Sequence, residues 1–291
     1  MKREPARAVA WMVLAQFLFA LMAIGARIGG RDVPWPEVGA TRFLLGALTA
    51  YAVGRVRGQS LRITRMRQAW LRSAFGTVSA LGTFYVYAAP GLPIGDAVTL
   101  LSTSPIFVTL LSAPILGERV GAMSAAALAL GFCGIIVLAQ PSFTTAGHFV
   151  AAGTGAALAS ALAMMSLRRI SQSESSEAIV LHLSCVGFAT MLVVSIPVWK
   201  TPDSRDALAL ALMGLSGGLA QIAMTRAYAL DHAARVSIVS FSSVVIMRIV
   251  AVPVFGEVPS AVQVMGSLLV IASGALLGSG RLAALRGKLG T

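Results

Sequence analysis

A five-residue motif, Pro-x-x-Gly-Glu, occurs twice in this chain within two similar stretches. The first copy runs from Pro114 to Glu118 and the second from Pro253 to Glu257, 139 positions later. Each copy ends a long apolar run, and a further apolar run begins at an alanine a few residues beyond it. A repeat of this kind fixes the architecture of a fold, so the two halves are predicted to share one design.

Ten mostly apolar runs are long enough to cross a membrane, because a helical span takes about 20 residues. Only 12% of the residues are charged, against about 25% in soluble domains. The sequence therefore predicts an all-α polytopic membrane protein with ten transmembrane helices, the first retained and not cleaved as a signal peptide. The predicted spans are Val9–Ile28, Pro36–Val53, Arg72–Ala89, Asp96–Leu116, Ala122–Ala139, Phe149–Leu167, Ala178–Val198, Ala207–Ala229, Ala234–Phe255 and Ala261–Leu277.

The motif follows the fourth span in one copy and the ninth in the other, so each repeat unit holds five spans. Because five is odd, the second unit enters the membrane in the opposite sense. Residues 1–140 are predicted to form the first five-helix repeat and residues 141–291 the second, inverted one, around a central cavity. Inverted repeats are typical of secondary transporters with a substrate site near the membrane midplane. We expect alternating access by rocking of the two half-units, with spans three, four, eight and nine as gates.

The net charge of +12 is explained by orientation in the membrane and predicts no nucleic-acid partner. Of the 23 Lys and Arg residues, seventeen fall on one side of the predicted topology, four on the other and two within spans. The positive-inside rule then places both termini in the cytoplasm. Cys133 and Cys185 lie inside apolar runs, and no disulfide is predicted.

The ten spans, the two five-span units and the repeated Gly-Glu together resemble the drug/metabolite transporter superfamily and, within it, the EamA-domain branch. The resemblance covers nearly the whole chain, which is also similar to the YddG-type bacterial exporters of aromatic and other neutral amino acids. It implies a bacterial cytoplasmic (inner) membrane exporter with a central cavity. The residues that carry the resemblance are Pro114, Gly117, Glu118, Pro253, Gly256, Glu257, Arg42 and Pro90-Gly91-Leu92-Pro93.

No catalytic, metal-binding or nucleotide-binding motif is visible in the sequence, so no enzyme activity, cofactor or metal is expected. The predicted function is export of small neutral metabolites, amino acids and aromatic ones among them, by a monomer in the lipid bilayer. One alternative is drug or other metabolite efflux coupled to protons, although cationic drugs call for a carboxylate within the membrane. A more distant alternative is a membrane enzyme that acts on lipids.

Polar and small residues on matching spans are the candidates for the substrate site. Spans three and eight are expected to line the cavity, and polar residues of spans one, four and nine are further candidates. The competing interpretation is helix packing through small residues, or hydroxyl groups bonded to carbonyls one turn back. The predicted substrate-binding residues are Gln16, Ser79, Gly82, Tyr85, Ser102, Gln221, Ser240 and Ser243.

Ionisable residues inside spans are costly and usually functional. Arg42 is a candidate for attracting a substrate carboxylate and His182 for a proton-sensitive role, while each could instead pair locally or reach an interface. No Asp or Glu falls in the middle of a predicted span, so facilitated export is favoured over tight coupling to an ion.

Glu118 and Glu257 are interpreted as structural helix caps, because each precedes a predicted helix whose free N–H groups favour a carboxylate. Two glycine pairs, Gly25/Gly29 and Gly274/Gly278, have the G-x-x-x-G spacing of close helix contacts. We expect both pairs to mediate packing within the monomer in preference to dimerisation.

Overall fold

The computed structural model describes residues 4–30, 33–88, 92, 94–142, 147–256 and 259–289. A π-helical turn, Ser112–Leu116, follows directly after Leu111, and a 3₁₀ turn, Ile196–Val198, follows directly after Ser195. The α-helices are α1 (Pro5–Gly29), α2 (Trp35–Val56), α3 (Met66–Ala88), α4 (Ile94–Leu101), α5 (Ser104–Leu111), α6 (Ala122–Ala139), α7 (Gly147–Ile170), α8 (Ser176–Ser195), α9 (Ser204–Leu230), α10 (Ala233–Val239), α11 (Ser242–Phe255) and α12 (Ala261–Leu289).

These helices form ten spans, because α4 with α5 makes one span and α10 with α11 makes another. Seven stretches of the described chain are long and apolar enough to cross a membrane, and a shorter apolar stretch covers Ala261–Leu277. α2 and α3 have the length, 22 and 23 residues, but carry Arg42 and Arg72 among other polar residues. The predicted all-helical, ten-span fold is confirmed.

The glycine of the repeated motif ends a helix in both halves. Gly117 and Gly256 adopt left-handed backbone conformations with φ of 68° and 67°. A side chain at either position would meet open space, so the backbone conformation and not crowding requires glycine there. The sequence motif therefore marks two equivalent helix ends.

The fourth span of each repeat is broken at a matching position. α4 ends at Leu101 and α5 begins at Ser104, while α10 ends at Val239 and α11 begins at Ser242. Both breaks contain tighter turns, with hydrogen bonds from Thr103 N to Leu100 O and from Ser240 N to Ser237 O, each 3.1 Å. The predicted continuous spans four and nine are thus each two short helices.

The most extensive helix contacts join one repeat to the other. α1 packs against α9, α2 against α8, α3 against α7 and α6 against α12. Exchanging each span for its repeat mate turns the α1–α9 pair into the α3–α7 pair, so the pattern obeys the two-fold pseudo-symmetry. The repeats are therefore not separate bodies, and rocking one complete repeat against the other would disrupt these contacts.

Glycines on α1 let that helix approach α9 closely. A Cβ at Gly25 would lie 2.9 Å from Ala209 O, and one at Gly29 would lie 2.9 Å from Asp206 O. The predicted packing of Gly25 and Gly29 within the monomer is confirmed. The same prediction is wrong for Gly274, where an added Cβ would meet open space.

Gly25→Ala is expected to lower the free energy of unfolding by about 1–3 kcal/mol, because the added methyl group has no space against α9. Gly274→Ala is the matched control, since a Cβ there meets no atom within 4 Å. Without a clash, alanine should stabilise α12 by up to about 1 kcal/mol. Unfolding in mixed micelles measures both variants, and equal effects would contradict the packing argument.

Candidate functional site

The candidate site lies where α2, α8 and α9 meet. A small cavity there has a volume of about 10 Å³, the room for one water molecule. It is lined by Arg42, Phe43, Gly46, Ser184, Gly217, Gly218 and Gln221. Two predicted site residues from different repeats, Arg42 and Gln221, are therefore brought together.

Small residues on α9 and α2 create this meeting point. A Cβ at Gly218 would lie 3.1 Å from the Cα of Gly46 and 2.8 Å from the Cβ of Thr49. Such close backbone approach needs glycine on at least one side. Gln221 follows Gly218 by three residues and therefore lies on the same face of α9.

The guanidinium group of Arg42 is held among apolar and sulfur atoms. Its Nε donates to the Sδ of Met22 at 3.1 Å, and its Cζ lies 4.8 Å from the centre of the Phe43 ring. Over the described residues it forms no ion pair with a carboxylate. A cation in such surroundings attracts an anionic group strongly, because neighbouring water does not screen it.

A second arginine, Arg72 on α3, was missed by the sequence reasoning. Only 2% of its surface is exposed, its Nη2 donates to Gln221 Oε1 at 3.4 Å, and its Nε is buried with no hydrogen-bond acceptor. The predicted third span began at Arg72 and placed it at the cytoplasmic edge. α3 in fact begins at Met66, so Arg72 lies more than one turn inside the helix.

The other predicted residues of α1 and α3 lie apart from this cavity. Gln16 is buried on α1, where its Nε2 lies 3.5 Å from Met12 Sδ. Ser79 is half-buried on α3. A Cβ at Gly82 would lie 2.7 Å from the Cβ of Ala156, and the Tyr85 ring lies 6.0 Å from that of Phe149. Gly82 and Tyr85 therefore face α7.

The predicted serines of spans four and nine lie at the two helix breaks. Ser102 is between α4 and α5, Ser240 is between α10 and α11, and Ser243 is in the first turn of α11. The Ser240 hydroxyl donates to Ser237 O at 2.5 Å. Broken helices at matching positions are where inverted-repeat transporters place ion and substrate sites.

His182 lies between α8 and α3, outside the lining of the Arg42 cavity. Its Nδ1 is 2.8 Å from Ser73 Oγ, and its ring meets that of Trp70 edge-on at 5.0 Å. Trp70 is 53% exposed, so this cluster lies toward the outside of the bundle.

Glu118 binds a different helix from the one predicted. Its Oε2 accepts the N–H of Ala233, the first residue of α10, at 2.8 Å. The N-cap of α6 is Gly121, without a side-chain hydrogen bond. The expected cap on the following helix is thus replaced by a cap on the first half of the broken ninth span. Glu257 lies outside the described residues.

Two further groups complete what we call the Glu118 network: Glu118, Arg168, His232 and the Ala233 N–H. Arg168 Nε donates to Glu118 Oε1 at 2.9 Å, and His232 Nδ1 lies 3.3 Å from Oε2. Burial alone would raise the pKa of Glu118. The His232 imidazole, the Arg168 guanidinium and the Ala233 N–H outweigh burial and lower that pKa from 4.5 to about 2.

More polar contacts join the repeats at this end of the bundle. Glu174 Oε1 accepts the N–H groups of Thr64 and Arg65 at 3.0 Å, and Glu177 lies 3.9 Å from Arg57 of the first repeat and also pairs with Arg226. Together with the Glu118 network these contacts link helices of the two repeats at this end. Glu177 is the second residue of α8, at the place that Glu37 occupies near the start of α2.

A larger groove of about 580 Å³ lies between α1, α10, α11 and α12. Its lining is mostly aliphatic, with Asp231 and Arg235 as its charged residues, and none of the predicted substrate-binding residues contributes to it. An aliphatic, open groove of this kind is typical of a surface that meets lipid chains.

A helical membrane fold with a polar site inside it is typical of a transporter, and comparison with known proteins gives that class. The model of the EamA-like transporter family matches residues 6–140 and again residues 147–279. The chain belongs to this family, and it is a multi-pass membrane transporter and not an enzyme.

Two characterised relatives cover nearly the whole chain. The pseudopaline exporter CntI of Pseudomonas aeruginosa is 26% identical over 89% of this chain and 91% of its own length. A riboflavin transporter of Vibrio cholerae is 25% identical over 95% of this chain and 94% of its own length. A protein of known crystal structure, 20% identical, superposes with a TM-score of 0.82 over 94% of this chain and 99% of that one, which shows the same fold.

Proposed function

We propose that this transporter exports small metabolites that carry a carboxylate, neutral amino acids and aromatic ones among them, across the bacterial inner membrane. The observation that carries the proposal is Arg42, a cation inside the membrane that pairs with no carboxylate of the described residues and lies beside Gln221. A substrate carboxylate is a strong ligand for such a guanidinium group. The amide of Gln221 can bond a neighbouring polar group of the substrate.

Alternating access is supported by the paired breaks in spans four and nine. We propose residues 1–140 and 141–291 as the two inverted repeats, consistent with the two family matches. Because α1 packs on α9 and α3 on α7, we propose moving bodies that combine helices from both repeats. The flexible points are the breaks at Ser102 and Ser240, where local hydrogen bonds replace a continuous helix.

Transport without ion coupling is supported by the placement of acidic residues. In the described residues, every Asp and Glu lies in a connection or within three residues of a helix end. Glu37, the third residue of α2, already accepts the N–H of Lys200 at 2.9 Å. A coupling site would need a carboxylate deeper in the membrane.

We propose that the end of the bundle holding the Glu118 network faces the cytoplasm, with both termini on the same side. The support is the bias of Lys and Arg toward this side. The amino acid would then enter the site from the cytoplasm when the network opens. The site at Arg42 and Gln221 lies within a single copy of the chain, which supports a monomeric unit.

Counterflow in proteoliposomes tests the proposal. Labelled phenylalanine, methionine and threonine should exchange against the same amino acid inside, and the rate should not depend on an imposed pH gradient. Gln221→Ala should lower the rate about tenfold through the loss of a substrate hydrogen bond, while Gln59→Ala, in an exposed loop, should not.

Two results would contradict the proposal in different ways. If none of the three amino acids crosses although the protein is well folded, amino acids are not its substrates. Exchange that requires a pH gradient would instead favour the proton-coupled efflux alternative.

A further inference from the structure

Two arginines inside the bundle, Arg42 half-buried and Arg72 buried, approach the same glutamine from different helices. Arg42 of α2 lines the small cavity with Gln221, and Arg72 of α3 donates to the Gln221 amide oxygen. The side chain of Arg42 also lies against Gly217, with its Cγ 3.7 Å from the position of an added Cβ. Gly217 and Gln221 are four residues apart on α9, or about 6 Å along its axis.

The stem of Arg42 and the guanidinium group of Arg72 therefore contact neighbouring turns of α9, and both arginines reach Gln221 or the cavity that it lines. Over the described residues neither forms an ion pair with a carboxylate. Gln221 is a neutral acceptor for Arg72, and the contact of 3.4 Å is long.

Arg72 also carries an unsatisfied donor. Only 2% of the surface of Arg72 is exposed, and its buried Nε has no hydrogen-bond acceptor among the residues that the structure describes. A buried donor without a partner is rare and needs an explanation. An anion that replaces the Gln221 oxygen would satisfy both the Nε and the Nη2 edges of the guanidinium fork.

We infer that Arg72 is a second anion-binding residue, and that the site prefers substrates with two acidic groups, one on Arg42 and one on Arg72. This inference rests on the proposed transport of carboxylate-bearing metabolites and narrows its substrate class. None of the described residues that line the cavity is acidic, so nothing there favours an ammonium group, and a second carboxylate adds more to binding than the amine does. Glutamate is a small diacid of this class.

Glutamate and glutamine test the inference, because they have nearly the same shape and differ by one carboxylate. Binding to the purified transporter is measured by ligand-dependent thermal shift, and exchange by counterflow. The wild type should bind glutamate at least tenfold more tightly than glutamine. Arg72→Gln should bring the two affinities within about threefold, and Arg67→Gln, exposed on the same helix, should leave the preference intact.

Each outcome is decisive. Equal or tighter binding of glutamine by the wild type overturns the inference without any variant, so poor folding of Arg72→Gln does not protect it. If the Arg72→Gln variant still prefers glutamate, Arg72 does not bind the second carboxylate.

If no amino acid binds or crosses, the proposed amino-acid function fails. The inference is then decided by succinate and succinamate, which differ by the same carboxylate. At least tenfold tighter binding of succinate by the wild type, lost in Arg72→Gln, supports it, and equal binding overturns it.

Discussion

Arg42→Gln is expected to lower amino-acid flux by at least tenfold and to leave the transporter as stable as the wild type or more stable. The flux falls because a charge-assisted hydrogen bond to the substrate carboxylate, worth about 1.5–3 kcal/mol, is lost. Stability does not fall because the guanidinium group is bonded to the sulfur of Met22, and no carboxylate in the described part of the chain would be left unpaired. Counterflow measures the first effect and thermal unfolding in detergent the second.

Lower flux at unchanged or higher stability distinguishes a residue that binds substrate from a structural residue. A structural arginine would lose stability and flux together, whereas Arg42 should lose flux alone. Arg42→Lys keeps the charge but not the planar fork, so it should recover part of the flux. Arg205→Gln, exposed at the start of α9, is the matched control and should change neither property. A fall in stability with Arg42→Gln, together with unchanged affinity, would remove Arg42 from the site.

Span positions and the repeat could be predicted from sequence because they depend on local hydropathy. The predicted run Ala122–Ala139 is α6, residue for residue. The motif glycines also carry a local signal, since a left-handed helix end favours glycine wherever it occurs. Hydropathy did not reveal the helix breaks, because the apolar runs continue through them. Pro105 is a local signal for the first break, but the chain from Ala233 to Val252 has no proline.

The partners of the charged residues could not be predicted, because they come from distant parts of the chain. Arg168 is 50 residues from Glu118, and Ala233 is 115 residues away. Arg72 was missed for a different reason. Its position after a basic loop looked like the end of a span, and only the start of α3 at Met66 places it inside the bundle. The prediction of Gln221 depended on the repeat offset, and in the structure Gln221 is one of the residues that line the small cavity.

Glu118→Ala is expected to lower the free energy of unfolding by about 3 kcal/mol at pH 7. The substitution leaves the buried charge of Arg168 and the N–H of Ala233 without the carboxylate, and breaking a buried pair costs about 3–5 kcal/mol. Arg168 keeps its bonds to Tyr228 O and Ala229 O at 3.0 and 3.1 Å, which places the loss at the lower end. Unfolding in mixed micelles measures this loss.

The pH dependence of the stability should identify the Glu118 carboxylate as the source of this contribution. The pKa of Glu118 is lowered from 4.5 to about 2 in the folded protein, where the imidazole of His232 and the guanidinium of Arg168 face the carboxylate. Its stabilisation is therefore complete above about pH 4.5 and is lost as the pH falls through about 2. The difference in stability between wild type and Glu118→Ala should shrink over this range, and a constant difference would contradict the assignment.

Glu174→Gln is the matched control, because Glu174 also bonds backbone N–H groups between the repeats but lies in a more exposed turn. Glu174→Gln should lower the free energy of unfolding by less than about 1 kcal/mol. Since Glu118 binds the start of α10 and not the Arg42 cavity, the folded fraction of Glu118→Ala should keep the wild-type affinity for substrate. A selective loss of affinity at unchanged stability would show instead that Glu118 contacts the substrate.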